Sequence, residues 1–165
     1  MKEGKVWKYG NNINTDIISP PESLEYDIKE AARFAMMNVD PNFAKQFKDG
    51  DIFVAEHNLG SGSSRETAPL VLKALGVHII IAKDYARIFY RNCINVGLIP
   101  IECAETSNIS NEDILDIDVE KGVIHNMTKN EYYSCSPMPK HILKIAQIGG
   151  LIPYIEKYRL SKADV

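Results

Sequence analysis

The stretch from Ile52 to Gly76, IFVAEHNLGSGSSRETAPLVLKALG, decides how this chain folds. Ile52-Phe53-Val54-Ala55 is a compact apolar run of the kind that forms a buried strand, and it stops at His57-Asn58. Leu59 to Thr67 is rich in glycine and serine, and behind it Ala68, Val71, Leu72 and Leu75 fall on one face of a helix closed by Gly76. Pro69 fits that helix only in its first turn, where a missing N–H costs little. The unit is therefore strand, glycine-serine loop, helix. It is followed by an apolar strand over Val77 to Ala82, a helix over Ala86 to Val96 ending at Gly97, and a short strand over Leu98 to Ile101. Alternating strands and helices predict a parallel, layered core.

Working outward, Lys5 to Tyr9 alternate as a first strand and run into the turn signal Gly10-Asn11-Asn12. Between Ile13 and Pro21 a polar triplet, Asn14-Thr15-Asp16, interrupts apolar residues, and the two prolines that follow deny helix to their neighbours. Tyr26 to Met37 has helix-forming composition, Asp40-Pro41 reopens a short helical stretch with Phe43, Ala44 and Phe47, and both read as small surface helices. After Glu105 the pattern becomes β-rich. Ile114 to Val119 and Val123 to His125 predict a hairpin, and Tyr132 to Cys135 a further strand. Pro139 to Ile148 reads as a last helix, Leu151 to Tyr158 as an apolar tail, and Thr106 to Asn111 as a flexible joint. The whole of residues 1–165 reads as one domain.

Nineteen Lys and Arg against 22 Asp and Glu give a net charge of -3 with no block of like charges, which argues against a nucleic-acid or anionic-membrane surface. No apolar run approaches the roughly 20 residues that cross a bilayer, and the start lacks a signal core. Cys93, Cys103 and Cys135 fit neither a disulfide framework nor a CxxC pair. A cytoplasmic protein whose own residues bind no metal is the expectation.

Residues 58–67 hold the chemistry. Three familiar motifs fail there: position 65 is Arg where a dinucleotide fingerprint needs Gly, no Gly-Lys-Ser/Thr exists, and Glu66 replaces the second glycine of a hydrolase elbow. What remains is a helix N-terminus with unpaired N–H groups beside the two-pronged cation of Arg65, a receptor for carboxylate or phosphate. A serine in that positive field is easier to ionise, so Ser63 is a candidate base. The competing reading is a flexible turn with a serine N-cap. Asp16 is either a partner that reaches the serine loop to hold Arg65 or a water, or an Asx-turn residue. Arg87 and Arg91 share a helix face, Arg91 as solvated surface. His57, His78, His125 and His141 show no metal-binding spacing, although His57 stands at the loop's mouth.

Taken together, Asn14-Thr15-Asp16, Asn58 to Glu66, Ala82 to Asn92 with Asn95, Gly97 and Leu98, and Gly149-Gly150-Leu151-Ile152-Pro153-Tyr154 closely resemble the small-subunit family of 3-isopropylmalate dehydratase. That family is the separate swivelling domain of the aconitase superfamily. The resemblance implies a layered β/β/α fold and a hydro-lyase that isomerises a hydroxy di- or tricarboxylate by dehydration and rehydration. It implies a large-subunit partner carrying a [4Fe-4S] cluster. It also implies that Ser63 is the base, that Ser64 and Arg65 bind substrate carboxylate, and that Asp16 orients this group.

Three departures from the family pattern stand out. Thr67 occupies the usual place of a histidine, and Ser61 lies between the glycines where Cys or Arg is common. Pro20-Pro21-Glu22-Ser23-Leu24-Glu25-Tyr26 lacks the arginine of the segment that helps choose the substrate's side chain. Isopropylmalate, homoaconitate, citraconate with methylmalate, and dimethylmalate all stay open as substrates, as does a non-catalytic carboxylate-binding module.

Overall fold

The computed structural model describes residues 2–160. Seven strands form one sheet in the order β4-β3-β2-β1-β5-β6-β7. The parallel half consists of β1 (Lys2–Lys8), β2 (Ile52–Val54), β3 (Ile79–Ala82) and β4 (Ile99–Glu102). The antiparallel half is β5 (Ile114–Asp118), β6 (Val123–Asn126) and β7 (Glu131–Ser134). β1 belongs to both, parallel to β2 along Val6↔Ile52 to Lys8↔Val54 and antiparallel to β5 along Lys2↔Ile117 to Lys5↔Ile114.

Side-chain alternation along β1 separates two cores. Trp7 and Tyr9 join Phe43, Phe53, Leu72 and Phe89 under the helices. Val6 joins Ile52, Val54, Ile81 and Ile101 of the parallel strands and, facing them, Leu115, Ile117, Ile124 and Tyr133 of the antiparallel ones. The sheet therefore curls over itself, and the layers are antiparallel strands, parallel strands and helices, as the β/β/α expectation required. β2 and β3 are buried along their whole length because they are covered on both faces, which explains their unbroken apolar runs.

The helices that cover the parallel half include α4 (Thr67–Ala74) and α5 (Arg87–Val96), after α1 (Thr15–Ile18), α2 (Ile28–Ala31) and α3 (Phe43–Gln46). Near the end of the chain come α6 (Lys140–Ile148) and α7 (Leu151–Leu160). Pro69 is the third residue of α4, inside its first turn.

Four expectations need correction. Tyr26 to Met37 is not one helix. It breaks into α2, a 3-10 turn over Ala32–Phe34 and a left-handed Met36 at φ 62°. Nor does the segment lie on the surface: Ala31, Ala32, Ala35 and Met36 are buried. The helix stops because Ala35 turns extended at ψ 130° and the Met36 N–H donates to the Ile18 carbonyl at 3.2 Å instead of within the helix. The Ile13 to Pro21 loop contains the one-turn helix α1, capped by Asn14, whose Oδ1 accepts from the Ile17 N–H at 2.8 Å. Leu151 to Tyr158 is helical, with Pro153 tolerated in the first turn of α7. Thr106 to Asn111 is no loose joint: Thr106 is fully buried and opens a 3-10 turn.

Candidate active site

The serine loop leaves the C-terminal end of β2, where loops of a parallel sheet gather their functional groups. It is pinned from several directions. The Gly60 N–H donates to the Ile13 carbonyl at 2.8 Å, the Leu59 N–H to the Asp84 carbonyl at 3.2 Å, and the Ala86 N–H to the Leu59 carbonyl at 2.9 Å. Asn92, buried on α5, donates from Nδ2 to the Ser64 carbonyl at 3.0 Å. Gly60 has φ 81°, and a Cβ there would lie 2.0 Å from the Phe89 ring, so only glycine lets Phe89 seal the loop's underside.

At the tip, Ser63 Oγ accepts from Arg65 Nε at 2.9 Å and from the Arg65 backbone N–H at 3.3 Å. Two donors, one of them cationic, thus converge on one hydroxyl oxygen, and both favour its ionised form. Arg65 is exposed and spends Nε on Ser63, which leaves its terminal amino groups for an anion. Ser64 is exposed beside it. Thr15, Asp16, Ser19, Leu24, Ser63, Arg65, Thr67 and Ala68 enclose a cleft of about 10 Å³, room for about one water. All four expected site residues therefore sit in or next to one cleft.

Their connections differ from expectation in two ways. No ion pair or hydrogen bond joins Asp16 to Arg65 or Ser63 among the described residues. Arg65 turns to Ser63 instead, and Asp16 is exposed at the cleft's edge. No serine caps α4 either. Its N-cap is Glu66, without a side-chain bond, and the helix start borders the cleft through Thr67 and Ala68.

His57 does not reach the cleft. Its Nδ1 bonds Asp84 Oδ2 at 2.5 Å, while Asp84 Oδ1 accepts from the Asn58 N–H at 2.6 Å. The His57 hydrogen bond, then the Asn58 N–H, hold the Asp84 carboxyl below its ordinary range. Arg87 and Arg91 are exposed on α5, outside the cleft.

A cluster that sequence reading missed lies nearby. Glu56, just after β2, is bonded by Lys8, by Lys83 at 2.9 Å and by Thr106 Oγ1 at 2.9 Å. Burial opposes its charge, but those donors outweigh burial and hold the carboxyl down to about 2. Lys8 is itself pulled down by desolvation against the bond to Glu56.

Among the described residues, no three of His, Cys, Asp and Glu come together as a metal site. Cys93 and Cys103 are buried, Cys135 half-buried, and burial raises all three thiols, the last to about 11. Three cysteines that do not come together offer no ligand set for an iron–sulfur cluster among the described residues. No helix among the described residues is long and apolar enough to cross a membrane.

The chain is similar to known proteins over nearly its whole length. Residues 12–106 match the aconitase C-terminal domain. The chain is 47% identical to 3-isopropylmalate dehydratase small subunit 1 of Archaeoglobus fulgidus, covering 94% of this chain and 98% of that one. It is 48% identical to the isopropylmalate/citramalate isomerase small subunit of Methanocaldococcus jannaschii, covering 94% of each. The crystal structure of 3-isopropylmalate dehydratase from Methanocaldococcus jannaschii superposes with a TM-score of 0.92 at 41% identity, over 98% of this chain and 97% of that one.

Proposed function

Because this chain belongs to the 3-isopropylmalate dehydratase small-subunit family of the aconitase superfamily, we propose that it supplies the base and one carboxylate receptor of that hydro-lyase. The chain is a small subunit of an isomerising dehydratase of leucine biosynthesis and works with a large subunit. Ser63, as alkoxide, takes the proton from the carbon next to a carboxylate. The C–H electrons become the double bond as hydroxide leaves the neighbouring carbon; in the rehydration hydroxide adds to the carbon that lost the proton, and the protonated Ser63 gives its proton to the carbon that lost hydroxide. Arg65 stabilises both partners of this step, holding Oγ through Nε and the carboxylate through its terminal amino groups, with Ser64 as a further donor. Asp16, at the cleft's edge, orients the bound group.

The observation that carries this reading is the contact of Arg65 Nε with Ser63 Oγ at 2.9 Å. The cleft of about 10 Å³ cannot enclose a dicarboxylate, so the large subunit supplies the remaining walls, and the [4Fe-4S] cluster belongs there too. Residues 1–165 act as one swivelling domain closed against that partner in the cytoplasm. Leu24 at the rim, with exposed Glu22 and Glu25 beside it, accepts an aliphatic substituent and repels a third carboxylate. That favours isopropylmalate or citramalate over homoaconitate.

Anaerobic reconstitution with the cluster-loaded large subunit tests this. Isopropylmalate should give the absorbance of its unsaturated intermediate only when both subunits are present, and homocitrate should give little. A loaded complex that turns over none of these acids would favour a binding module.

A further inference from the structure

We infer that Thr15 is the positioning residue of Ser63. The inference rests on the reading of Ser63 as the base. Thr15 is 5% exposed at the start of α1, where Asn14 caps the turn. It holds the serine loop through its backbone N–H and its hydroxyl. Its backbone N–H donates to the Ser61 carbonyl at 2.9 Å, and its Oγ1 accepts from the Ser63 N–H at 2.9 Å.

These bonds bracket Gly62, which has φ 111°. A Cβ on Gly62 would stand 2.9 Å from Thr15 Oγ1, so the glycine is what allows the hydroxyl so close. One residue, with a stiff χ1, therefore clamps a three-residue arc whose last member is Ser63. Arg65 fixes the same serine from its other end, at Oγ. Asp16, the exposed neighbour, makes no bond to the loop among the described residues. Thr15 touches no reacting atom in this scheme. It acts by holding the Ser63 backbone, and a shift of about 1 Å in a reacting group is worth roughly a hundredfold in rate.

The test is a double-mutant cycle in the assembled complex with isopropylmalate as substrate. Thr15→Val keeps shape and the bond to Ser61 but removes the acceptor for Ser63. It should lower kcat at least about tenfold with KM nearly unchanged and with the Tm of the small subunit held, and Thr15→Ser should recover most of the turnover. Ser63→Ala carrying Thr15→Val should be no slower than Ser63→Ala alone. A fully active Thr15→Val, or multiplicative losses in the double variant, would overturn the role of Thr15 while a crippled Ser63→Ala left the base reading standing. A fully active Ser63→Ala would instead remove the base reading itself. Should Thr15→Val not assemble, Gly62→Ala breaks the same approach from the other side, and unimpaired turnover there would equally overturn the inference.

Discussion

The serine loop and the Glu56 cluster both hang from the C-terminal end of β2, yet they use their cations in opposite ways. Around Glu56, Lys8 and Lys83 converge on one carboxylate, their remaining bonds taken by the Thr106 carbonyl and the Ser107 hydroxyl. These charges are largely shielded from solvent and spent inside the molecule. Arg65, in the loop that follows β2, has one side-chain bond among the described residues, to a neutral hydroxyl, and is exposed. Its charge has no carboxylate opposite it among the described residues. Saturated ion clusters rigidify a fold, whereas a cation held in place but left unneutralised is ready for an anion from outside.

Breaking the serine loop should cost activity. Arg65→Ala removes both the donor to Ser63 and the carboxylate receptor, so kcat/KM in the assembled enzyme should fall about a thousandfold, with both kcat and KM affected. The small subunit's melting temperature should barely move, since the side chain is exposed. A loss confined to KM would show that Arg65 binds substrate without aiding the chemical step.

Breaking the Glu56 cluster should cost stability and little activity. Glu56→Gln leaves Lys8 and Lys83 without their countercharge, and a loss on the order of 2 kcal/mol corresponds to a Tm lower by about 4–8 °C. The dependence on pH sharpens the contrast. Because folding lowers the Glu56 pKa from 4.5 to about 2, its contribution is complete above the ordinary value and disappears as the pH falls through that window. The Tm gap between wild type and Glu56→Gln should therefore close from pH 4.5 downward. A gap that persists at pH 2 would mean that packing, not charge, is lost.

The parallel half of the fold was legible because strands buried on both faces read as unbroken apolar runs and their helices repeat at one-face spacing, as Ile79 to Ala82 and Phe89, Cys93 and Val96 do. The double duty of β1 was not, since pairing across more than 100 residues with β5 leaves no local mark. The broken segment after Tyr26 shows a tertiary hydrogen bond, from the Met36 N–H to the Ile18 carbonyl, overriding helix propensity. At the site, Ser63 and Arg65 were visible from charge and loop composition. Thr15 was overlooked in favour of its charged neighbour Asp16, because an uncharged hydroxyl carries no signal until its partner across the fold is known. Asn92 offered one clue, a polar residue on the buried face of an amphipathic helix. Glu56 resembled any strand-end carboxylate, and only the strand order β3-β2-β1 brings Lys83 and Lys8 to it from either side, with Thr106 arriving from beyond β4.

The claim that Ser63 is the base is tested most directly by hydrogen exchange between isopropylmalate and solvent in the assembled complex bearing Ser63→Ala, with substrate affinity measured alongside. Exchange at the carbon next to the carboxylate should slow at least about a hundredfold while affinity stays near that of wild type. Exchange at the normal rate would show that another group takes the proton.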